Sequence, residues 1–431
     1  MTKRTAIATK ARTARAKGAK RSRKAEPVEA TDSGLAEVEV ESSEVGGDGE
    51  PPEEEAPRAP STPTEFLKRA IDEHGEDPSE SDRVSRFVTE SPALNRIAGI
   101  GGIPLGRVVL VWGPYRGGKS TLTARVLGDV ARAGGVGYYV DVERAAVKSW
   151  FRSCGLDDDQ YVYTRPRTQE DVQDRVLAFL RMVAKAKAEG EIPWGLPVVV
   201  AVDTVTKLVP SDMLDGKIGS RNYGLQANLL NDWTKASIVL AEEANACLWL
   251  ISQERRDREG IWTGGNLWPG IPPWMAYRPT SGDDLLFSAS LGLRVAAHKS
   301  VKETIAGEET KVGREHEIRV LKSKFGPDMQ AAGIARWFSS NGLGWAPKGI
   351  DVVREIVAEA LEAGVLAKVV GKARIESPWG DGWPGEAKLR SALVEDPDLR
   401  ARVCSALQER ADALARRNGH EFDHASTAPP R

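Results

Sequence analysis

The chain has 431 residues, 41% of them apolar and 28% charged, with a formal net charge of −2, as expected of a soluble globular protein with more than one domain. No run of about 18 apolar residues occurs, which argues against a membrane-spanning helix. The three cysteines and five histidines show no metal-ligand spacing, so we expect no zinc site and a reducing, cytoplasmic setting.

The first 60 residues segregate their charges. Residues 2–24 carry lysine and arginine but no acid, whereas residues 26–55 carry acids but no lysine or arginine. Neither run has enough apolar residues for a core, so we predict a disordered basic-then-acidic tail over residues 1–60. The basic run either contacts phosphate backbones or is a solvated tail of minor function.

A short helix and linker are predicted over residues 61–90. A proline-rich stretch ends the tail, and residues 64–73 (TEFLKRAIDE) place their apolar side chains on one side of a helix.

Strands alternate with helices over residues 91–347, which we predict to be an α/β core with a mostly parallel sheet. Helices are predicted at 119–133 and after Thr168, because Thr168 and Asp171 resemble a capping box. The run at 197–202 (PVVVAV) is typical of a parallel strand covered on both faces. The predicted strands are 108–112, 136–142, 197–202, 247–252 and a candidate hairpin of 291–297 and 317–322.

A small C-terminal α/β domain is predicted over residues 348–417, followed by a flexible tail at 418–431. Apolar residues at helical spacing end at Gly364, and a loop rich in Gly, Pro and Trp follows. A polar helical segment is then predicted from about 386 to 417.

A phosphate loop carries the chemistry of the predicted core. The sequence GPYRGGKST fits the pattern G-x-x-x-x-G-K-[ST] between a predicted strand and a predicted helix. Glycines let backbone N–H groups wrap a phosphate chain, the helix start attracts the anion, and Lys119 meets the outer phosphates. The predicted contacts are Gly113, Pro114, Tyr115, Arg116, Gly117, Gly118, Lys119, Ser120 and Thr121.

Two carboxylates follow predicted strands and complete the nucleotide site. Asp203 ends the PVVVAV strand, where a carboxylate can organise Mg²⁺ together with the hydroxyl of Ser120. Glu143 follows the strand at 136–142 and can polarise the water that attacks the terminal phosphate. Alone, an acid at a strand end is more often a cap, but the phosphate loop favours a catalytic and metal-binding role.

Several segments in order resemble the RecA recombinase family, its phage members included. They are AGIGGIPLGRV at 98–108, YVDVE at 139–143, VDTVT at 202–206 and LISQ at 250–253. The resemblance extends over roughly residues 64–415. It implies a RecA-like ATPase fold and an ATP- and Mg²⁺-dependent DNA recombination and repair protein. It also implies a homo-oligomeric filament on single-stranded DNA that pairs with duplex DNA.

The resemblance also assigns roles to individual residues. Gln253 matches the glutamine that senses the γ-phosphate and signals to a DNA-binding loop. Lys322 and Lys324 match paired lysines that reach the neighbouring subunit's ATP. Trp150 falls where the family places an aromatic ring against the adenine, and the helix at 64–73 corresponds to one that docks on a neighbouring subunit.

Two segments are candidates for the DNA-binding surface, at 215–223 and at about 254–281. Both place cations among aromatic rings, which suits phosphate contact and base stacking. The alternative is that the tryptophans of the second segment pack as a lid on the core. The predicted DNA contacts are Lys217, Arg221, Tyr223, Lys235, Arg255, Arg256, Arg258, Trp262, Trp268, Trp274 and Arg278.

Four positions depart from the family pattern and leave strand exchange open. Tyr115 replaces the usual glutamate, Arg116 adds a charge, Asn228 stands in place of an arginine, and Leu286 in place of a lysine. Two alternatives therefore stay beside the recombinase: a hexameric RecA-fold helicase or DNA motor, and a non-catalytic ATP-binding accessory protein.

Overall fold

The computed structural model of the chain describes residues 84–216, 224–256, 277–305, 307–337 and 349–420, all within one unit, Ile71–Arg431. The predicted tail and the helix at 64–73 lie outside these ranges and stay predictions. So do most of the two candidate DNA segments, including Lys217, Arg221, Tyr223, Arg258, Trp262, Trp268 and Trp274.

Fifteen strands lie in the described ranges. Their bounds are β1 Arg86–Phe87, β2 Ile103–Pro104, β3 Val108–Gly113, β4 Val136–Asp141, β5 Tyr161–Thr164, β6 Val198–Asp203, β7 Cys247–Arg256, β8 Tyr277–Pro279, β9 Leu291–Ile305, β10 Glu308–Ser323, β11 Ala331–Trp337, β12 Gly349–Ile350, β13 Ala367–Lys368, β14 Ile375–Glu376 and β15 Gly382–Trp383.

Ten α-helices and a 3₁₀ turn, Val205–Lys207, lie in the same ranges. The helices are α1 Pro92–Ile97, α2 Lys119–Arg132, α3 Lys148–Ser153, α4 Gln169–Ala188, α5 Ser211–Asp215, α6 Leu225–Glu243, α7 Asp283–Ser288, α8 Val352–Glu362, α9 Glu386–Glu395 and α10 Pro397–Arg417. None of the helices described here is long and apolar enough to cross a bilayer.

The central sheet has the strand order β5–β4–β6–β7–β3–β9–β10–β11–β12, and β8 pairs with β7. The strands from β5 to β9 in this order are parallel, and β10 to β12 continue the sheet antiparallel. The predicted α/β core with a mostly parallel sheet is therefore confirmed. The predicted hairpin is confirmed as β9 and β10, which are much longer than the apolar runs that indicated them.

Helices cover both faces of the sheet, which explains the continuous apolar runs of its strands. Val109 and Val111 of β3 pack in the same apolar cluster as α2. The alternate side chains, Val108, Leu110 and Trp112, pack on the other face with α4 and α6. Each such buried side chain contributes about 1.5–3 kcal/mol, so β3 is fixed from both sides.

Helix α4 begins as the sequence predicts. The side chain of Thr168 accepts a hydrogen bond from the Asp171 backbone N–H at 3.1 Å. The reciprocal bond of a capping box is displaced by one residue, because Asp171 Oδ2 accepts from the N–H of Arg167 at 3.2 Å.

The C-terminal elements α8, α9, α10 and β13–β15 share an apolar cluster of their own. The helical segment predicted from about 386 to 417 is present as two helices, α9 and α10, which are separated at Asp396. Asp396 caps α10 by accepting from the Leu399 N–H at 2.9 Å, and Pro397 occupies the first turn. Proline lacks an N–H and fits a helix start, so it begins a new helix here.

Candidate nucleotide-binding site

The polar residues that follow the parallel strands meet at one edge of the sheet. In the strand register Gly113 of β3 lies beside Gln253 of β7, and Asp141 of β4 lies beside Asp203 of β6. A cavity of about 510 Å³ opens there. The predicted residues that line it are Gly113, Tyr115, Arg116, Gly117, Gly118, Lys119, Ser120, Thr121, Glu143, Trp150, Asp203 and Gln253.

Strands β9 and β10 pack closely against the glycines of the phosphate loop. A Cβ at Gly117 would meet the backbone oxygen of Val295, and a Cβ at Gly118 would overlap the ring of His316. Gly118 also has φ +106°, a left-handed value that favours glycine. As the N-cap of α2 it provides no side-chain cap, so the first N–H groups of the helix remain available to an anion.

The side chain of Lys119 binds back to the phosphate loop. Its ammonium group donates to the carbonyl oxygens of Gly113 and Pro114, each at 2.9 Å. Burial lowers the pKa of Lys119, while the carboxylates of Asp203 and Glu143 raise it. The ammonium is therefore a desolvated charge in the cavity, held by carbonyl groups that phosphate oxygens can replace.

Ser120 and Asp203 form a set of hard oxygen ligands. The hydroxyl of Ser120 donates to Asp203 Oδ2 at 2.7 Å, and the hydroxyl of Tyr139 donates to the same oxygen at 2.6 Å. Burial raises the pKa of Asp203, and the two hydroxyl donors oppose that shift. A serine hydroxyl beside an aspartate in a phosphate loop fits Mg²⁺, which prefers oxygen ligands.

Glu143 lies at the mouth of the same cavity. Its backbone N–H donates to the carbonyl of Asp203 at 3.2 Å, and its Oε1 accepts from Gln253 Nε2 at 3.2 Å. Its carboxylate thus faces the end of the cavity near β7, where it can orient a water molecule toward the terminal phosphate.

Gln253 also joins both ends of the second candidate DNA segment. Its carbonyl accepts from the backbone N–H of Thr280 at 2.9 Å and from the Thr280 hydroxyl at 3.1 Å. Beside it, Arg294 forms a nearly buried bidentate pair with Glu254 at 2.9 and 3.1 Å and lies over the ring of Tyr277. The described residues on either side of this segment are therefore joined at the glutamine.

Sequence reasoning missed several residues of the cavity. Glu254, Arg314 and His316 line it, and His316 Nδ1 donates to the carbonyl of Gly117 at 2.6 Å. Two of the three come from β10, which has no motif and lies far from the phosphate loop along the chain. The sole signal was the polar character of the strand REHEIRV at 314–320.

The predicted DNA-contacting residues in the described ranges differ in exposure. Arg255 is exposed, and Lys235 is exposed beside Asp232 on α6. Arg278 is 7% exposed and pairs with Asp283 at 3.0 Å. Its predicted contact with DNA stays a prediction.

Lys322 and Lys324 do not line the cavity of their own chain. The ammonium group of Lys322 donates to the carbonyls of Leu286 and Phe287, and burial lowers its pKa to about 8. Leu286 is 7% exposed in the apolar core, which explains why an apolar residue stands there instead of a lysine.

Comparisons with known proteins agree with this geometry. The family model of the RecA N-terminal domain matches residues 62–343. Protein RecA of Thermus thermophilus is 30% identical over 363 residues, covering 83% of this chain and 94% of the relative. Protein RecA of Thermus aquaticus is 30% identical over 359 residues, with the same coverage. Protein RecA of Campylobacter jejuni is 26% identical over 347 residues, covering 80% of this chain and 90% of the relative.

The family match covers the strands that form the cavity. Proteins of this family are DNA-dependent ATPases that use ATP and Mg²⁺ in DNA recombination and repair. The chain belongs to the RecA family of ATP-dependent DNA recombinases.

Proposed function

We propose that this recombinase binds ATP with Mg²⁺ above the phosphate loop and uses hydrolysis to control its hold on single-stranded DNA. One observation carries the proposal: the hydrogen bond from Gln253 Nε2 to Glu143 Oε1 at 3.2 Å. This bond connects Glu143, which is proposed to direct hydrolysis, with Gln253, which directly precedes the segment proposed to contact DNA. A change at the terminal phosphate therefore has a direct route to that segment.

Each side chain of the cavity has its own task in hydrolysis. The loop N–H groups and the first turn of α2 hold the phosphates, while Lys119 exchanges its loop carbonyls for phosphate oxygens. Ser120 and Asp203 would hold Mg²⁺, which when bound neutralises charge on the outer phosphates. Glu143 accepts a hydrogen bond from the attacking water and aligns its oxygen with the terminal phosphorus, so that the bond to ADP breaks.

The side chain of Gln253 is proposed to change its position when the terminal phosphate is bound or lost. This side chain donates a hydrogen bond to Glu143, and the backbone carbonyl of Gln253 accepts one from Thr280. Displacement of the Gln253 side chain would therefore shift the residues at both ends of the second candidate DNA segment. ATP would thus favour the arrangement that binds DNA, and loss of phosphate would relax it.

The DNA surface is proposed to consist of exposed cations and the rings of the two candidate segments. Arg255 and Lys235 are exposed, and Arg278, which is buried and paired with Asp283 in the single chain, stays a predicted contact. The remaining contacts stay predictions: Lys217, Arg221, Tyr223, Arg256, Arg258, Trp262, Trp268 and Trp274.

Assembly is proposed to complete the site. Lys322 and Lys324 lie outside this chain's own cavity. They are proposed to serve the ATP of a neighbouring copy in a filament on single-stranded or duplex DNA. Trp150 is proposed to meet the adenine from α3. The cytoplasmic setting and the likeness to phage members also stay proposals.

The test is ATP hydrolysis with and without single-stranded DNA, combined with electron microscopy of the same mixture. The proposal expects stimulation by DNA and helical filaments that need ATP. Closed rings under these conditions would instead support a hexameric motor. ATP binding without DNA-stimulated hydrolysis would support an accessory protein.

A further inference from the structure

Tyr139 is a buried residue of β4 that contacts the proposed metal site. It is 2% exposed, and its hydroxyl donates to Asp203 Oδ2 at 2.6 Å. The same oxygen accepts from the hydroxyl of Ser120 at 2.7 Å. The side chain does not line the cavity, so it meets the site only through the carboxylate.

We infer that Tyr139 is a positioning residue for Mg²⁺, since its hydroxyl fixes the Asp203 carboxylate, and through it the Ser120 hydroxyl, in the orientation that the metal requires. The inference rests on the proposed function, because it assumes that these two residues hold the metal that accompanies the nucleotide. Tyr139 lies behind the two proposed metal ligands. Removing its hydroxyl should weaken Mg²⁺ binding and leave phosphate binding by the loop unchanged.

The direction of the hydrogen bonds supports this role. Ser120 gives its proton to Asp203, which leaves the lone pairs of the serine oxygen for a cation. Tyr139 occupies a second site on Oδ2, and no hydrogen bond from the described residues reaches Oδ1. The torsion of an aspartate carboxylate is broad, so two donors at one oxygen define its plane and direct Oδ1 outward.

The tyrosine ring is itself held in place by other rings. It meets Phe151 edge-on with centroids 4.9 Å apart and stacks with Tyr163 at 6.2 Å. These packed rings hold the Tyr139 hydroxyl in a fixed position beside β6. The hydroxyl can therefore determine the position of the Asp203 carboxylate.

A second tyrosine–aspartate pair lies next to the first. Tyr163 donates to Asp141 Oδ2 at 2.7 Å, and Asp141 also accepts from the N–H groups of Ala145 and Ala146. This pair holds the turn after β4 that carries Glu143. The stacked tyrosines therefore support both carboxylates that the hydrolysis needs, one through the metal ligand and one through the backbone.

The experiment compares Tyr139→Phe with Tyr138→Phe and the unaltered chain. Tyr138 is the neighbouring tyrosine, its hydroxyl lies 3.1 Å from that of Thr164, and its ring packs on the opposite face of the sheet. Binding of a fluorescent ADP analogue is measured in EDTA and then during titration with Mg²⁺. We expect equal affinity in EDTA for all three proteins.

The expected difference is in the Mg²⁺ titration. For Tyr139→Phe the Mg²⁺ concentration at half-maximal effect should rise roughly 10- to 100-fold, the usual cost of losing a residue that orients a metal ligand. Tyr138→Phe should match the unaltered chain. A tyrosine that only fills the core would lower the melting temperature without moving this midpoint.

The outcomes separate the inference from the proposed function. If the unaltered chain binds no ADP analogue, or binds it without regard to Mg²⁺, the proposed function fails. If it responds to Mg²⁺ and Tyr139→Phe shares its midpoint, the inference is overturned while the function stands. If Tyr139→Phe does not fold, it is combined with Asp203→Asn. Equal melting temperatures of Asp203→Asn with and without it uphold the inference, and a further drop overturns it.

Discussion

Glu355 is a buried carboxylate whose ionisation should make the stability of the chain depend on pH. It is 3% exposed on α8, where its Oε1 accepts from the hydroxyl of Ser91 and, at 3.3 Å, from the N–H of Ala93. Burial raises the pKa of Glu355 to about 7, against the opposing effect of Arg125 on α2. The group therefore keeps its proton in the fold at pH values where the unfolded chain has lost it.

The difference between the pKa values in the folded and unfolded chain sets the sign and size of the pH effect on the free energy of unfolding. An unfolded glutamate has a pKa of about 4.3. Between about pH 4.3 and 7 the folded state holds one more proton, so the free energy of unfolding falls as the pH rises and the loss is complete above about pH 7. At 1.36 kcal/mol for each pH unit, the total over this interval is ~3.7 kcal/mol, of which ~3 kcal/mol is lost between pH 4.5 and 8.

Glu355→Gln isolates this contribution because glutamine cannot ionise. Unfolding by urea is measured at pH 4.5, 6, 7 and 8, and the free energy of the unaltered chain is subtracted from that of the variant. This difference should rise by ~3 kcal/mol from the lowest to the highest pH, whatever the fixed cost of the amide. Glu362→Gln, on the exposed side of the same helix, is the matched control for the loss of a carboxylate. A flat difference for Glu355→Gln would refute the reasoning.

The other predictions concern the site. Lys119→Ala should slow ATP hydrolysis by about 10²- to 10³-fold in a phosphate-release assay, and unchanged turnover would remove it from the site. Glu143→Gln should still bind ATP but hydrolyse it at least about 10²-fold more slowly, with longer-lived DNA complexes; a normal rate would exclude its role. Gln253→Ala should make ATP hydrolysis indifferent to single-stranded DNA, whereas retained stimulation would place the coupling elsewhere. Replacing the three tryptophans of the second segment with alanine should weaken single-strand binding by about 1–3 kcal/mol per stacked base, and unchanged affinity would favour a lid.

The strand ends of the site could be predicted from the sequence because their signals are local. An apolar run that ends in a polar residue marks both a parallel strand and its carboxyl end, as at Asp203 and Gln253. Since parallel strands share one edge of the sheet, the two residues had to approach the phosphate loop. Their meeting in one cavity thus needed no information beyond strand order.

The residues that sequence reasoning missed act over long separations. His316 meets Gly117 across 199 positions, and Tyr139 meets Asp203 across 64. No spacing rule connects such pairs, because the contact depends on which strands become neighbours. The burial of Arg278 could not be predicted either, although its partner Asp283 lies only five positions away at the start of α7.

The charge balance of the cavity bears on the proposal that a neighbouring copy of the chain contributes to hydrolysis. Arg116, Lys119 and Arg314 line it, against Asp203 and two glutamates, so the charged side chains cancel. ATP with Mg²⁺ adds a net charge of about −2, and its hydrolysis leaves negative charge on the released phosphate. Further positive charge would come from outside this lining, and Lys322 and Lys324 of a neighbouring copy are its proposed source. Hydrolysis should therefore require assembly, and turnover per chain should fall on dilution below the concentration at which filaments form.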